Sequence, residues 1–336
     1  MTGAGWVRTR VLLAFAVSTT MPDRAFSQPA QDYAVRVFKR VGGDSLVVHV
    51  FSPTTRSGTR PAVVLFHGGA FVWGGPEIMN RAARDYARLG FVAFSAQYRL
   101  VNRTTITPIE QLEDAFDAIR WVRSHAAEFA VDPTRVVAHG VSAGGYLATM
   151  AAGSSDAAVR PNAVVLWSPG VGWGDAYFRG LFGGRPDAND LVPMKHLRAP
   201  MPPTIIISGA LDSVTFDSDA REYCDGVKNA KGRCALHTFP NLGHLLSRRL
   251  DRRSQQRGSF DWDPVATKDA EEKVKAFLSS LGYPAGVTVR PSTSMIPSGG
   301  RLRHAPRVKS GKSTERLRDA IDCSLTMITA VHAAPS

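Results

Sequence analysis

The stretch Arg135-Val-Val-Ala-His-Gly140-Val-Ser142-Ala-Gly144-Gly145-Tyr-Leu-Ala constrains this chain more than any other. It asks for a strand, a sharp turn and a helix in quick succession. Val136 to Ala138 reads as a short buried strand, and the run from Ala143 is helix-forming. Between them lies a G-x-S-x-G turn, whose flanking glycines remove the Cβ atoms that would clash in so tight a bend. A serine held there has a strained backbone and an exposed Oγ above the carboxyl edge of a sheet. It also sits at a helix N-terminus, whose dipole favours developing negative charge.

The rest of the chain supplies a sheet for that turn to sit on. Between residues 33 and 281 short β-rich runs alternate with longer helix-like ones, the pattern of crossover connections in a largely parallel sheet. Tyr33–Phe38 and Leu46–Phe51 predict an antiparallel hairpin, and Ala62–Phe66 predicts a buried central strand. A helix near Met79–Leu89, the strand Phe91–Ser95 and an amphipathic helix from Ile109 to about Ala127 follow. Leu112, Ala115, Phe116, Ile119 and Val122 give that last helix one apolar face. Ala163–Trp167, Thr204–Ser208 and Ala235–Phe239 are further strands, and Val265–Leu278 closes the series. The fold class is therefore α/β, with a mostly parallel central sheet and helices on both faces.

Composition agrees with one large folded domain between two different ends. The chain has 336 residues, 44% of them apolar and 21% charged, enough to close a full core. No run of 18 apolar residues occurs, which excludes a membrane-spanning helix. Arg8 and Arg10, the apolar run Val11–Val17 and the small-residue site Ala25-Phe26-Ser27 make residues 1–27 a secretory signal peptide cleaved before Gln28. That predicts a secreted or periplasmic protein; read as an ordinary N-terminus, the segment leaves it in the cytoplasm. The catalytic domain is then residues 28–284. Residues 285–336 are rich in Pro, Ser, Gly and Arg and read as a disordered or loosely attached tail. Of the formal net charge of +12, this tail carries +5, from eight Lys/Arg against three Asp/Glu. Gly311-Lys312-Ser313 resembles the end of a phosphate-binding loop, but Pro306 stands where its first glycine belongs. The three cysteines, at 224, 234 and 323, lack zinc-site spacing. Cys224 and Cys234 fit a short-loop disulfide and two unbonded thiols equally well.

A serine hydroxyl needs a base, and the base needs a carboxylate to orient it. Of the histidines after Ser142, His237 falls within a strand, and His304 and His332 fall in the tail. His244 lies in the loop Pro240-Asn-Leu-Gly243-His244, just beyond a strand, and is the best base. Asp212 follows the strand Thr204–Ser208 and emerges at the same sheet edge, whereas Asp217 and Asp219 already belong to the next helix. Earlier, His67-Gly68-Gly69-Ala70-Phe71-Val72-Trp73-Gly74 follows a strand directly. Its paired glycines leave backbone N–H groups open, so Gly68 and Gly69, with Ala143, predict an oxyanion hole. His67 reads as a structural support of that loop.

These residues resemble the α/β-hydrolase superfamily, and within it esterases related to hormone-sensitive lipase and to bacterial acetylxylan and feruloyl esterases. The resemblance covers residues 33–281. It rests on HGGAFVWG at 67–74, Tyr98-Arg99-Leu100, Asp114 with Trp121-Val122, GVSAGG at 140–145, GALD at 209–212 and GH at 243–244. The loop has HGGA where lipase-like relatives have HGGG. Val141 replaces their Asp or Glu, and Gln97 replaces the Asp that usually precedes the tyrosine. Too little chain precedes Tyr33 for an N-terminal cap domain. The likeness therefore leans to the uncapped, carbohydrate-esterase-like branch.

The expectation is a cofactor-free, metal-free serine carboxylesterase for short-chain or small esters, carbohydrate acetyl or feruloyl esters among them. Phe71, Trp73 and Trp173 are candidate walls of a shallow pocket. An amidase or peptidase of the same fold is the alternative. A catalytically silent binding module is the rival from another class, and its triad positions would not all be filled. The partner is a small-molecule ester. Nucleic acid as main partner lacks a recognition motif or interleaved aromatics in the basic tail, and the oligomeric state is open.

Overall fold

The sheet has eight strands in the order β1-β2-β4-β3-β5-β6-β7-β8. The computed structural model describes residues 32–54, 58–102, 105–172, 176–183, 186–251 and 260–284. The proposed signal peptide, the basic tail and Trp173 lie outside them. β1 (Ala34–Val41), β2 (Asp44–Phe51) and β4 (Val92–Ala96) pair antiparallel. β3 (Arg60–Phe66), β5 (Val131–Val141), β6 (Ala163–Trp167), β7 (Thr204–Gly209) and β8 (Cys234–Phe239) run parallel to one another, and β4 runs parallel beside β3.

Strand period decides which helices cover which face. Ala62, Val64 and Phe66 of β3 enter one core with α2 (Pro108–Ser124), α3 (Ala143–Ala152) and α5 (Asp217–Asn229). Val63 and Leu65, pointing the other way, enter a second core with α1 (Asn80–Arg88) and α6 (Pro264–Ser280). A strand buried on both faces must be apolar along its buried length, as β3 is from Pro61 to Phe66. The short helix α4 (Ala176–Leu181) lies in the connection between β6 and β7.

β5 and α2 are bounded differently from the sequence reading. β5 begins at Val131 because Val131 pairs with Arg60, and a register shift before Ala62 absorbs the turn-like Asp132-Pro133. α2 starts one residue before Ile109, at Pro108, under a capping box in which Thr107 and Glu110 satisfy each other's backbone N–H groups. It ends at Ser124 rather than near Ala127. The residues of α2 turned toward the core include polar ones: Gln111 and Asp114 have no exposed surface. Gln111 Nε2 donates to the carbonyls of Phe71 (2.8 Å) and Arg99 (2.6 Å). Asp114 receives Arg99 through Nε (2.7 Å) and Nη2 (2.8 Å), and Lys39 Nζ lies 2.8 Å away. Arg99 and Asp114 thereby clamp the loop after β4 onto α2, beside the loop after β3. Cys224 on α5 and Cys234 on β8 form a disulfide with Cα atoms 5.5 Å apart.

Candidate active site

Ser142 stands between β5 and α3 with φ +53° and ψ −114°, a backbone that a non-glycine residue adopts only under constraint. The constraint is packing. A Cβ on Gly140 would lie 2.2 Å from the carbonyl oxygen of Gly144, and one on Gly144 would lie 2.1 Å from that of Phe66. The elbow is thus wedged against the end of β3. The Ser142 N–H donates to the carbonyl of Trp167 (3.0 Å), and its own carbonyl accepts from Gly145 (2.9 Å) and Gly170 (3.1 Å).

The other two groups arrive from the ends of β7 and β8. His244 Nδ1 donates to Asp212 Oδ2 at 2.8 Å, and its Nε2 lies 3.0 Å from Ser142 Oγ. That contact fixes the tautomer: the proton sits on Nδ1, and Nε2 faces the serine hydroxyl as acceptor. All three groups are buried. Burial works to raise the Asp212 carboxyl. The charge and hydrogen bond of His244, with the N–H groups of Thr215 (2.8 Å) and Val214 (2.9 Å), outweigh it and hold the carboxyl below its ordinary value.

The competing acids and bases are engaged elsewhere. Asp217 opens α5, where it pairs with Arg221 at 2.7 Å and accepts from Thr238 at 2.8 Å. His196 bonds the carbonyl of Asp190, and His237 lies within β8.

The loop after β3 carries the glycine pair to the serine. An ideal Cβ on Gly68 would lie 3.3 Å from Ser142 Cβ, so the Gly68 backbone runs directly beside the hydroxyl. Among the described residues no acceptor takes the N–H groups of Gly68 and Gly69. Ala143 is the first residue of α3, and its N–H has no intrahelical acceptor. Gly69, at φ +130°, accepts from Val72 and Trp73 and turns the loop back on itself.

His67 supports this loop. Its Nδ1 donates to the Gly68 carbonyl (2.6 Å), its ring stacks on Tyr98 (4.2 Å between centroids), and the Tyr98 hydroxyl donates to the His67 carbonyl (2.7 Å). Burial lowers its pKa to about 4, so the imidazole is neutral.

Three features of the site were not visible in the sequence. Thr215 Oγ1 lies 2.9 Å from Asp212 Oδ2, 3.0 Å from the Ser168 carbonyl and 3.1 Å from His244 Nδ1. Ser168 Oγ in turn accepts from Leu245 N–H at 3.0 Å, so one serine after β6 ties the acid loop to the histidine loop. Phe260 lies with its ring centroid 5.7 Å from that of His244, and Trp262 lies 6.2 Å beyond it. A local polar cluster signals Thr215 weakly, as the third residue after an aspartate; the others carry no sequence signal.

The candidate pocket residues separate. Trp73 is 52% exposed, whereas Phe71 has no exposed surface and packs on Tyr146 and Phe178. A residue with nothing exposed cannot wall an open pocket. Phe71 instead anchors the glycine loop from beneath, its carbonyl held by Gln111.

A hydrogen-bonded carboxylate, imidazole and hydroxyl make a serine nucleophilic at neutral pH. On loops at the carboxyl edge of such a sheet they mark an α/β-hydrolase enzyme. The comparisons agree. Family models match at residues 48–164 (BD-FAE) and 109–263 (Prolyl oligopeptidase family). Native esterase 2 of Thermogutta terrifontis is 30% identical, with 76% of this chain and 94% of that one covered at a TM-score of 0.64. Carboxylesterase NlhH of Mycobacterium tuberculosis is 34% identical over 137 residues, 39% of this chain and 42% of that protein. An acetylxylan esterase of Xylanibacter ruminicola is 28% identical over 211 residues, 58% of this chain and 42% of that protein. The chain thus spans less than half the length of these two curated relatives. It belongs to the esterases of the α/β-hydrolase family.

Proposed function

We propose that this protein hydrolyses small, short-chain carboxylic esters through an acyl-enzyme on Ser142. The observation that carries the reading is His244, which bonds Asp212 on one side and faces the Ser142 hydroxyl on the other. Ser142 Oγ attacks the ester carbonyl carbon while its proton passes to His244 Nε2. The carbonyl π electrons move to oxygen, and the oxyanion is received by the N–H groups of Gly68, Gly69 and Ala143. Collapse re-forms the carbonyl and breaks the bond to the leaving alkoxide, which takes the proton from His244. Water, deprotonated by the same Nε2, then cleaves the acyl–Oγ bond by the reverse sequence and frees the acid. Asp212 keeps the imidazole in the required tautomer and stabilises its cation.

The rim supports a small substrate. Trp73, Leu211, Phe216 and Trp262 are 40–54% exposed on the loops after β3, β7 and β8. They put exposed apolar side chains on the same loops that carry the triad and the glycine pair. The relative from Thermogutta terrifontis has also been solved with propionate and with butyrate, both short acids. Carbohydrate acetyl or feruloyl esters are the natural class that the likeness to an acetylxylan esterase favours. The Cys224–Cys234 bridge supports an oxidising, secreted or periplasmic location.

Rates on p-nitrophenyl esters of increasing acyl length, beside acetylated xylan and methyl ferulate, test this. Each methylene adds roughly 0.8 kcal/mol only while it is buried. The specificity constant is expected to peak between acetyl and hexanoyl esters. A steady rise through dodecanoyl esters would reject the short-chain reading, and faster turnover of peptide amides would favour the peptidase reading that the second family model supports.

A further inference from the structure

Ser168 follows β6 directly, beside the ends of β5 and β7, and is buried. Its polar groups are engaged on three sides. The N–H donates to the carbonyl of Ile207 at 2.8 Å, the carbonyl accepts from Thr215 Oγ1 at 3.0 Å, and Oγ accepts from the Leu245 N–H at 3.0 Å. These bonds join it to β7, to the loop of the acid and to the loop of the base. The next two residues meet the elbow: a Cβ on Gly145 would lie 2.7 Å from Pro169 Cβ, and the Gly170 N–H donates to the Ser142 carbonyl at 3.1 Å. Ser168 itself has φ +41°, a left-handed backbone that a residue with a Cβ rarely takes, and the proline after it narrows its choices further. Such a conformation persists only where the surroundings over-determine it.

The turn that Ser168 reaches is strained as well. Leu245 (φ +56°, ψ +34°) and Leu246 (φ +58°) are consecutive left-handed residues immediately after His244. Leucine lacks the polar side chain that lets Asn or Asp settle there. Leu246 is held from within: its N–H returns to the Gly243 carbonyl at 3.1 Å and its side chain is buried in the second core. The Leu245 N–H leaves the turn and goes to Ser168. That N–H belongs to the peptide joining His244 to Leu245, so the bond fixes the backbone next to the His244 Cα. With that backbone set, the imidazole spans Asp212 Oδ2 at 2.8 Å and Ser142 Oγ at 3.0 Å. A misplacement of about 1 Å at a reacting group costs up to about a hundredfold in rate.

We infer that Ser168 is a positioning residue of the reaction: its hydroxyl holds the strained turn after His244 and thereby sets how Nε2 faces the nucleophile. The inference rests on the ester-cleaving reading above. Thr215 acts on the side chains of Asp212 and His244, whereas Ser168 acts on the backbone that carries the base. A second buried hydroxyl supplies the contrast. Ser208 lies in β7, and its Oγ has no partner among the described residues.

Steady-state kinetics on a short p-nitrophenyl ester, beside thermal unfolding of each variant, test the assignment. Ser168→Ala and Ser168→Gly both remove the hydroxyl, but only glycine suits φ +41°, so the glycine variant should melt higher. Both are expected to lower kcat equally, on the order of tenfold, with KM within about twofold. Ser168→Thr keeps the hydroxyl and places a β-branched side chain in left-handed backbone; it should melt lower yet keep kcat within about threefold. Should threonine unfold the chain, the alanine and glycine pair alone gives either result. Ser208→Ala, losing an unpartnered hydroxyl, should keep kcat within about twofold. A kcat that follows melting temperature instead of the hydroxyl would reduce Ser168 to packing and overturn the inference. So would an unchanged kcat in the alanine and glycine variants. Ser142→Ala runs in the same assay: persistent turnover there would overturn the ester-cleaving reading, whereas its loss beside an unaffected Ser168→Gly would overturn this inference alone.

Discussion

The elbow at Ser142 and the paired loops bearing Asp212 and His244 meet within a few ångströms, yet they are held by different means. The elbow is held mainly by steric exclusion: Gly140 is closed by Gly144 within the same turn, and Gly144 by the end of β3. The acid and histidine loops are held by hydrogen bonds that span the chain. Ser168 reaches Leu245 across 77 positions, Thr215 reaches Ser168 across 47, and Asp212 reaches His244 across 32. The turn at the nucleophile is therefore written in its own segment and closed by the neighbouring strands β3 and β6, whereas the base is positioned only by hydrogen bonds between the ends of β6, β7 and β8. Substitutions in the two regions should fail differently.

The largest effect is expected at the shared contact. Ser142→Ala and His244→Ala should each lower kcat by about 10^6, and the double variant by little more, because the groups act as one unit. Organophosphate labelling, followed by mass spectrometry, should vanish in Ser142→Ala. His237→Ala, within β8 and outside the triad, should keep most of the activity. Multiplicative losses, or a sensitive His237, would break the assignment of His244.

Next comes the acid. Asp212→Asn should cost about 10^4 in kcat, since an amide presents the wrong hydrogen-bond pattern to Nδ1. Asp217→Asn should cost less than about threefold, given that its carboxylate serves Arg221 and Thr238. Steady-state kinetics on one short ester compare them, and a reversed order would exchange the two roles.

A smaller effect sharpens the difference between exclusion and hydrogen bonding. Thr215 is a positioning residue, acting through Asp212 and His244. Thr215→Val should lower kcat on the order of tenfold with KM within about twofold, and Thr215→Ser should restore it. A loss of KM and kcat together, unrescued by serine, would mean that Thr215 only packs.

The smallest effect is on stability. Burial holds His67 at a pKa of about 4 and His139 at about 3, below the ordinary value of 6.5. As pH falls below 6.5 the unfolded chain takes up protons that the folded one refuses, so stability should decline from pH 6.5 toward 4. For His67 alone the full loss is on the order of 3 kcal/mol. His139 bonds the Tyr86 hydroxyl at 3.0 Å, and Tyr86→Phe/His139→Phe removes both partners at once. Its melting temperature should fall less between pH 7 and 4 than that of the unchanged protein. An equal fall would show that other groups set the acid limit.

The antiparallel entry, the central strand Ala62–Phe66, the amphipathic α2, Ser142 and the glycines beside it were legible in sequence. Each rests on spacing or backbone geometry within one segment. Asp212 and His244 were legible through a further step, because a loop at the end of a parallel strand must emerge at the same edge as the serine. Phe71 shows where that logic stops. It stands two residues from Trp73 in one loop, yet it is buried while Trp73 is open, since φ +70° at Phe71 turns its side chain into the core against Tyr146 and Phe178. The choice between bridged and free thiols at Cys224 and Cys234 also waited on distance, because spacing along the chain says nothing of how α5 lies on β8.

What the sequence by itself determined is the set of reacting groups and the sheet they stand on. Hydrophobic period and glycine placement act over a few residues, and those short-range terms are complete in the segment that carries them. Tertiary structure alone decided how the groups are aimed. Thr215 and Ser168 find their partners and Phe260 approaches His244 because each contact joins segments whose meeting depends on strand order and register.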